Sequence, residues 1–267
     1  MPITVPFKPR HISDEEFREM DFQTMGFAFA IQNEMGRFWS EQIYQHELAY
    51  RCQKVGVEKV DTEVPIKVSF KDFDKIYYAD LILNDSIVYE LKAVEALVGE
   101  HRNQALNYLF LTGLNRGKLI NMRSPLVESE FVSTSILTEK RFDFAIEDAD
   151  WRNLDDDCIW LKQLIVDLLF EWGAYLDIHL YYEVIEHFRG GKENVIKKIK
   201  VINSQRIIGE QKIHFLNNDV AFKISSILKN QDKYEEQLHK FLRFTTLRAM
   251  QWINFNRDHI IFKTICL

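Results

Sequence analysis

Between residues 62 and 94 the chain carries three successive apolar segments, TEVPIKVSF (62–70), IYYADLIL (76–83) and IVYELKAV (87–94). Each is eight or nine residues long and rich in β-branched and aromatic side chains, a length and composition that specify strands. KDFDK (71–75) and Asn84-Asp85-Ser86 are turn-like links between them. Upstream, from about Asp21 to Val55, apolar residues such as Phe27, Ile31, Phe38, Ile43 and Leu48 recur at helical spacing, and Gly36 is expected to split the run into two helices. Downstream, 100–113 reads as a helix ending near Gly113 and 117–123 as a strand. The order α-β-β-β-α-β places the chain in the α/β class.

The pattern then begins again. Residues 138–157 are polar and acidic and read as a linker between a first module, 1–137, and a second, 158–267. In the second module 158–176 reads as a helix and 178–188 as its continuation or a strand. Residues 195–203, 206–215 and 219–226 read as strands, 232–248 as a helix, and 249–255 and 259–265 as strands. At an offset of 133, Gln104 meets Gln237, Leu109 meets Leu242, Thr112 meets Thr245 and Ile120-Asn121 meets Ile253-Asn254. At an offset of 137, Gly36 and Tyr44 meet Gly173 and Tyr181. Ordered matches across strand, helix and strand indicate an internal duplication.

Composition removes several classes of function. The three cysteines, Cys52, Cys158 and Cys266, have no ligand-like spacing, which argues against a disulfide scaffold, a zinc ribbon or a four-cysteine cluster. The eight histidines form no HxxxH or HExxH pattern, and no Gly-rich phosphate loop is present. MPITVPFKPR has no apolar signal region and no apolar run approaches 18 residues, so a reduced, cytoplasmic protein without a membrane segment is expected. Charge is uneven. Residues 1–150 hold 17 Lys and Arg against 25 Asp and Glu, while 151–267 hold 17 against 15.

Chemistry concentrates in the 76–94 hairpin. Glu90 and Lys92 share a strand face, and a three-residue turn at 84–86 sets Asp80 directly opposite Glu90, with Cβ atoms about 5 Å apart. Two carboxylates so close share a proton or hold a cation. Hard oxygen ligands suit Mg²⁺ or Mn²⁺. Lys92 beside them is positioned to orient or deprotonate a water and to offset charge in a phosphoryl transition state. An acidic residue inside so apolar a strand costs several kcal/mol unless it is paired or metal-bound. Glu41 and Tyr44 are i,i+3 on the preceding helix, and Gln104 and Tyr108 are i,i+4 on the following one. Glu41 is a candidate further ligand. Gln104, Tyr108 and Tyr44 are candidates for contacting substrate or supporting Lys92, although each tyrosine taken alone reads as a core residue with its hydroxyl at the rim.

Asp80, Glu90-Leu91-Lys92 and Gln104-Ala105-Leu106-Asn107-Tyr108 resemble the D…ExK…QxxxY signature of the RecB-type PD-(D/E)xK nuclease superfamily. Glu41-Gln42-Ile43-Tyr44, followed by VPIKV and ADLIL, resembles the bacterial GxxExxY proteins of that superfamily. The resemblance covers about residues 22–125. One position departs from it: Phe38 stands where that motif has glycine, and the nearest glycine is Gly36. The resemblance implies a restriction-endonuclease-like core, Mg²⁺ or Mn²⁺ as cofactor, and a nucleic-acid substrate, with DNA favoured over RNA. Asp80, Glu90 and Glu41 would bind metal and Lys92 would act on the water.

Carried into the second module, the offsets put Ile213 at Asp80, Lys223 at Glu90, Ser225 at Lys92 and Ile178 at Glu41. A copy without these ligands is expected to serve as a platform for substrate, for the other half, or for a protein partner or homo-oligomer. Lys192, Lys197, Lys198, Lys200 and Arg206 cluster there and could contact a phosphate backbone. The competing readings are an inactive nuclease-fold module that binds nucleic acid or protein, and a structural subunit of a larger assembly.

Overall fold

The computed structural model describes residues 2–267 and divides into two compact units, one ending at Lys140 and the other Arg141–Leu267. The first unit opens with a short strand β1 (Ile3–Thr4) and helices α1 (Asp14–Met35) and α2 (Glu41–Lys54). Ser13 and Glu16 cap α1 reciprocally, and Gly36 ends it at a φ of 77° that a Cβ would strain. Strands β2 (Val60–Phe70), β3 (Phe73–Leu83) and β4 (Ile87–Lys92) follow, then α3 (Gly99–Thr112), β5 (Arg116–Asn121) and β6 (Glu128–Ser133). The sheet runs β1-β2-β3-β4-β5-β6, with β4 and β5 parallel across the α3 crossover and every other pair antiparallel. Ile31, Tyr44, Leu48 and Cys52 of the two helices pack on Leu81, Tyr89, Leu91 and Ile120 of the sheet. Each fully buried aliphatic side chain there contributes about 1.5–3 kcal/mol.

The second unit holds β7 (Ala145–Glu147), α4 (Asp156–Trp172), α5 (Ile178–Phe188), the single turn α6 (Lys192–Val195), β8 (Ile196–Asn203), β9 (Arg206–Phe215), β10 (Val220–Ser225), α7 (Gln231–Arg243), β11 (Ala249–Asn256) and β12 (His259–Cys266). Its sheet order is β7-β12-β11-β10-β9-β8, with β10 and β11 parallel across α7. Leu238 and Leu242 of α7 pack with Met250 and Trp252 of β11 in its core.

The two units share one order of elements, two helices, three antiparallel strands, a helix and two strands, and the parallel step falls at the same place. Local hydrogen bonds recur as well. Asn121 Oδ1 accepts from the Val94 N–H at 3.1 Å, and Asn254 Oδ1 from the Ile227 N–H at 2.7 Å. Thr112 and Thr245 each accept from an N–H two residues on and donate to a carbonyl three residues back. The Tyr44 and Tyr181 hydroxyls donate to the carbonyls of Gly36 and Gly173 at 2.8 and 3.4 Å.

Three expectations need correction. Residues 138–157 are not a free linker: β7 pairs in parallel with β12, Trp151 packs edge-on against Phe262 at 5.5 Å, and Arg141 is buried with its guanidinium on the Trp172 and Ala174 carbonyls. Their acidic side chains face outward while the backbone completes an open sheet edge, so polarity alone misread them. Segment 178–188 is a separate helix. Gly173, at φ 75°, lies so close to Arg141 that a Cβ would meet its backbone oxygen at 2.9 Å; it ends α4, and Asp177 caps the new helix at His179. Strand β6 escaped notice because ESEFVS buries only Val132.

Candidate active site

The turn at 84–86 sets the register of the hairpin that carries the candidate residues. Asn84 and Asp85 adopt φ of 50° and 54°, Asn84 Oδ1 accepts from the Lys59 N–H at 2.9 Å, and Leu83 pairs with Ile87 and Leu81 with Tyr89. Past Leu81 the ladder ends. Asp80, the next position opposite Glu90, turns its carboxylate onto the backbone, where Oδ2 accepts from the Leu91 N–H at 2.7 Å. An anion thus replaces a strand carbonyl.

Glu90 is 1% exposed on a strand buried at all six positions. Lys92 Nζ lies 2.7 Å from Glu90 Oε1 and 3.5 Å from Glu41 Oε1 at the start of α2, so three of the four proposed catalytic groups converge directly. Glu90 Oε2 is buried without a hydrogen-bond partner. Burial, then the neighbouring Asp80, pushes the Glu90 carboxyl up to about 8, against the pull of Lys92. Burial likewise raises Asp80 to about 6, with Glu41 and Glu63 adding to the rise and the Leu91 N–H and Lys92 opposing it. Burial lowers the Lys92 ammonium, but Glu90, Glu41 and Asp80 outweigh it, so the net shift is upward and Lys92 stays protonated.

Gln104 Nε2 donates to the Tyr108 hydroxyl at 3.0 Å rather than holding Lys92. Tyr108 is raised by burial and next by Glu90, which places its phenol in the field of the cluster. Tyr44 is not brought to the site. It is fully buried, and its hydroxyl accepts from the Trp39 N–H while capping Gly36.

Two residues were missed. Gln45, buried on α2, donates to the Asp80 carbonyl and, at 2.8 Å, to Glu63 Oε1. Glu63 sits opposite Asp80 between the pairs Thr62–Leu81 and Val64–Ala79, at a left-handed φ of 50°. Gln45 lies one turn beyond Glu41, a spacing that could have flagged it. Nothing in TEVPI announces the irregular backbone at Glu63.

Residues 18–133 match the family model of the PD-(D/E)XK nuclease superfamily. That stretch lies within the first unit and contains all seven proposed site residues. No curated protein matches the sequence. Among solved structures, the crystal structure of SSO0001 aligns at 22% identity and a TM-score of 0.28, covering 45% of this chain and 58% of that one.

Members of the matched superfamily generally use divalent metals such as Mg²⁺. Among the described residues no group of three or more His, Cys, Asp or Glu side chains is placed to hold a metal ion. The donor chemistry nevertheless fits a hard cation, because an orphaned, buried carboxylate oxygen on Glu90 lies in the field of Asp80 and Glu41.

Proposed function

We propose that the first unit is a divalent-metal-dependent nuclease, of the GxxExxY type, acting on DNA in preference to RNA. The observation that carries this reading is Glu90: a carboxylate 1% exposed, with one oxygen on Lys92 and the other unpartnered. Few buried carboxylate oxygens go without a partner, and this one lies in the field of two further carboxylates, Asp80 and Glu41. Asp80, Glu90 and Glu41 would hold the metal, which when bound supplies charge for the phosphate and a more acidic water.

The chain's own residues do the remaining work. The Leu91 N–H fixes one Asp80 oxygen, and Gln45 anchors the Asp80 backbone and the Glu63 side chain. Lys92, protonated and held between Glu90 and Glu41, is a cation aimed at the charge that develops on the phosphoryl oxygens, and is not a general base. Gln104 orients the Tyr108 hydroxyl at the margin of the cluster.

The second unit is read as a degenerate copy. The recurrent hydrogen bonds at Asn121 and Asn254 and at Thr112 and Thr245 support a common origin. Where Asp80 takes the Leu91 N–H, the Tyr182 hydroxyl takes the N–H of Ile224, the counterpart of Leu91, at 2.7 Å. A phenol there fills the ligand position with an uncharged group.

The test is cleavage of linear, circular and single-stranded DNA and of RNA with Mg²⁺ or Mn²⁺. Wild type should cut only with metal, and Glu90→Gln should not cut. One observation favours a second reading, a binding module without catalysis: Lys92 already lies 2.7 Å from the carboxylate that would hold the metal. Substrate bound but uncut at every metal concentration would establish that alternative.

A further inference from the structure

A single row of residues crosses each sheet at the level of Glu90. In the first unit it runs Glu63, Asp80, Glu90, Leu119 and Glu130, with Glu90–Leu119 and Leu119–Glu130 as register pairs. In the second unit the equivalent row runs Lys197, Ile213, Lys223, Trp252 and Lys263, through the pairs Lys197–Ile213, Lys223–Trp252 and Trp252–Lys263. Three carboxylates have become three ammonium groups and the fourth has become isoleucine.

The exchange is compensated at one end. Arg102 of α3 pairs with Glu130, and Glu235 of α7, its counterpart, pairs with Lys263 at 2.8 Å. At the other positions nothing compensates. Lys197 and Lys223 are exposed, and among the described residues neither has a carboxylate partner. Lys223 is the one exposed position of β10, a strand otherwise buried throughout, so the sheet face is open where Glu90 is closed over. From Val60 to Glu90 the chain has three Lys and Arg against seven Asp and Glu; from Ile196 to Lys223 it has six against two. Of those two acids, Glu210 pairs with Lys198 and Asp219 with Arg248. The half-buried ring of His214 is held neutral first by its burial and then by the fields of Lys223 and Lys192.

We propose that the second unit binds the phosphodiester backbone of a nucleic acid through Lys223 and Lys197, on the sheet face where the first unit carries its carboxylates. A polyanion is the occupant that matches this charge. An irregular row of lysines without bidentate donors or base-reading groups contacts backbone rather than sequence. The proposal shares its ligand class with the nuclease reading but none of its residues.

The test is fluorescence anisotropy of the full chain with a labelled 20-base-pair DNA duplex in EDTA, where cleavage cannot occur, across a salt series. The Lys197→Gln/Lys223→Gln double variant should bind at least tenfold more weakly. Its slope of log affinity against log salt should fall by about 1 per lysine. Both substitutions are at exposed positions, and an unchanged thermal melt excludes misfolding. If the double variant binds with the affinity and slope of wild type, or wild type fails to bind at low salt, the proposal is overturned. Binding in EDTA that depends on these lysines, without cleavage in Mg²⁺ or Mn²⁺, would sustain it while removing the nuclease reading.

Discussion

Lys92 Nζ and Glu90 Oε1 lie 2.7 Å apart, two residues from one another on the same face of β4, with the other Glu90 oxygen unpartnered. The pair is therefore half used. Removing the ammonium should take away stabilisation of the phosphoryl transition state, and Lys92→Met is expected to lower cleavage by about 10²–10³-fold, the usual loss for one preorganised donor. Its effect on stability should depend on pH. Glu90 left alone can neutralise itself by taking a proton, so metal-free Lys92→Met should melt close to wild type at pH 6 and well below it at pH 9. Equal destabilisation at the two pH values, or undiminished cleavage, would show that the pair is neither ionic nor catalytic.

Much of this was legible in the sequence, for definable reasons. IVYELKAV announces itself because charged residues interrupt a run that must be buried, and the Asn84-Asp85-Ser86 turn fixes the register that brings Asp80 to Glu90. The residues matched at offsets of 133 and 137, Asn121 with Asn254 and Tyr44 with Tyr181, perform the same backbone-capping task in each unit. What stayed hidden depends on backbone geometry without a residue signature. Glu63 is held at the cluster by the Gln45 amide on another element, and β7 forms only because β12 offers an unpaired edge. Tyr44 shows the opposite failure: i,i+3 spacing from Glu41 put it on the helix face, but the Gly36 carbonyl drew its hydroxyl into the core.

Cation binding should rise steeply with pH. Asp80 is pushed up to about 6 and Glu90 further, both by burial, so in the metal-free protein they carry protons through mildly acidic pH. A cation binds the ionised forms and must displace those protons. Affinity for Mn²⁺ is therefore expected to increase by an order of magnitude or more between pH 6 and pH 8, with net proton release in calorimetry. Asp80→Asn should abolish it. Affinity that is flat across this range would mean that the metal, if any, binds elsewhere.

Tyr44→Phe separates support of the fold from contact with substrate. The substitution leaves the ring in place but removes the part-buried hydrogen bond to the Gly36 carbonyl, at a cost of about 1 kcal/mol. Thermal stability should fall accordingly while cleavage per folded molecule is unchanged. Gln45→Ala should do the reverse, lowering cleavage more than stability, because its amide secures Asp80 and Glu63. A Tyr44→Phe enzyme with full stability and weakened substrate binding would return that residue to the site.

His214 gives the second unit an acid-side limit that does not depend on metal. Burial, then Lys223 and Lys192, lowers its pKa to about 4 from an ordinary 6.5. Its ring lies 4.3 Å from Tyr182 and 5.5 Å from Phe222, and Glu186 Oε1, at 3.9 Å, does not offset the burial. The unfolded chain protonates first, so the neutral imidazole contributes its full stability above pH 6.5, and that contribution is lost as pH falls towards 4. The loss should be on the order of 2–3 kcal/mol. Glu186, itself raised by burial, titrates with the opposite sign near the same range, so the difference between wild type and His214→Phe isolates the histidine. Phenylalanine keeps the stack and cannot protonate. The His214→Phe curve should therefore be flatter between pH 6.5 and 4 in urea denaturation. Parallel curves for the two proteins would show that His214 titrates alike in the folded and unfolded states.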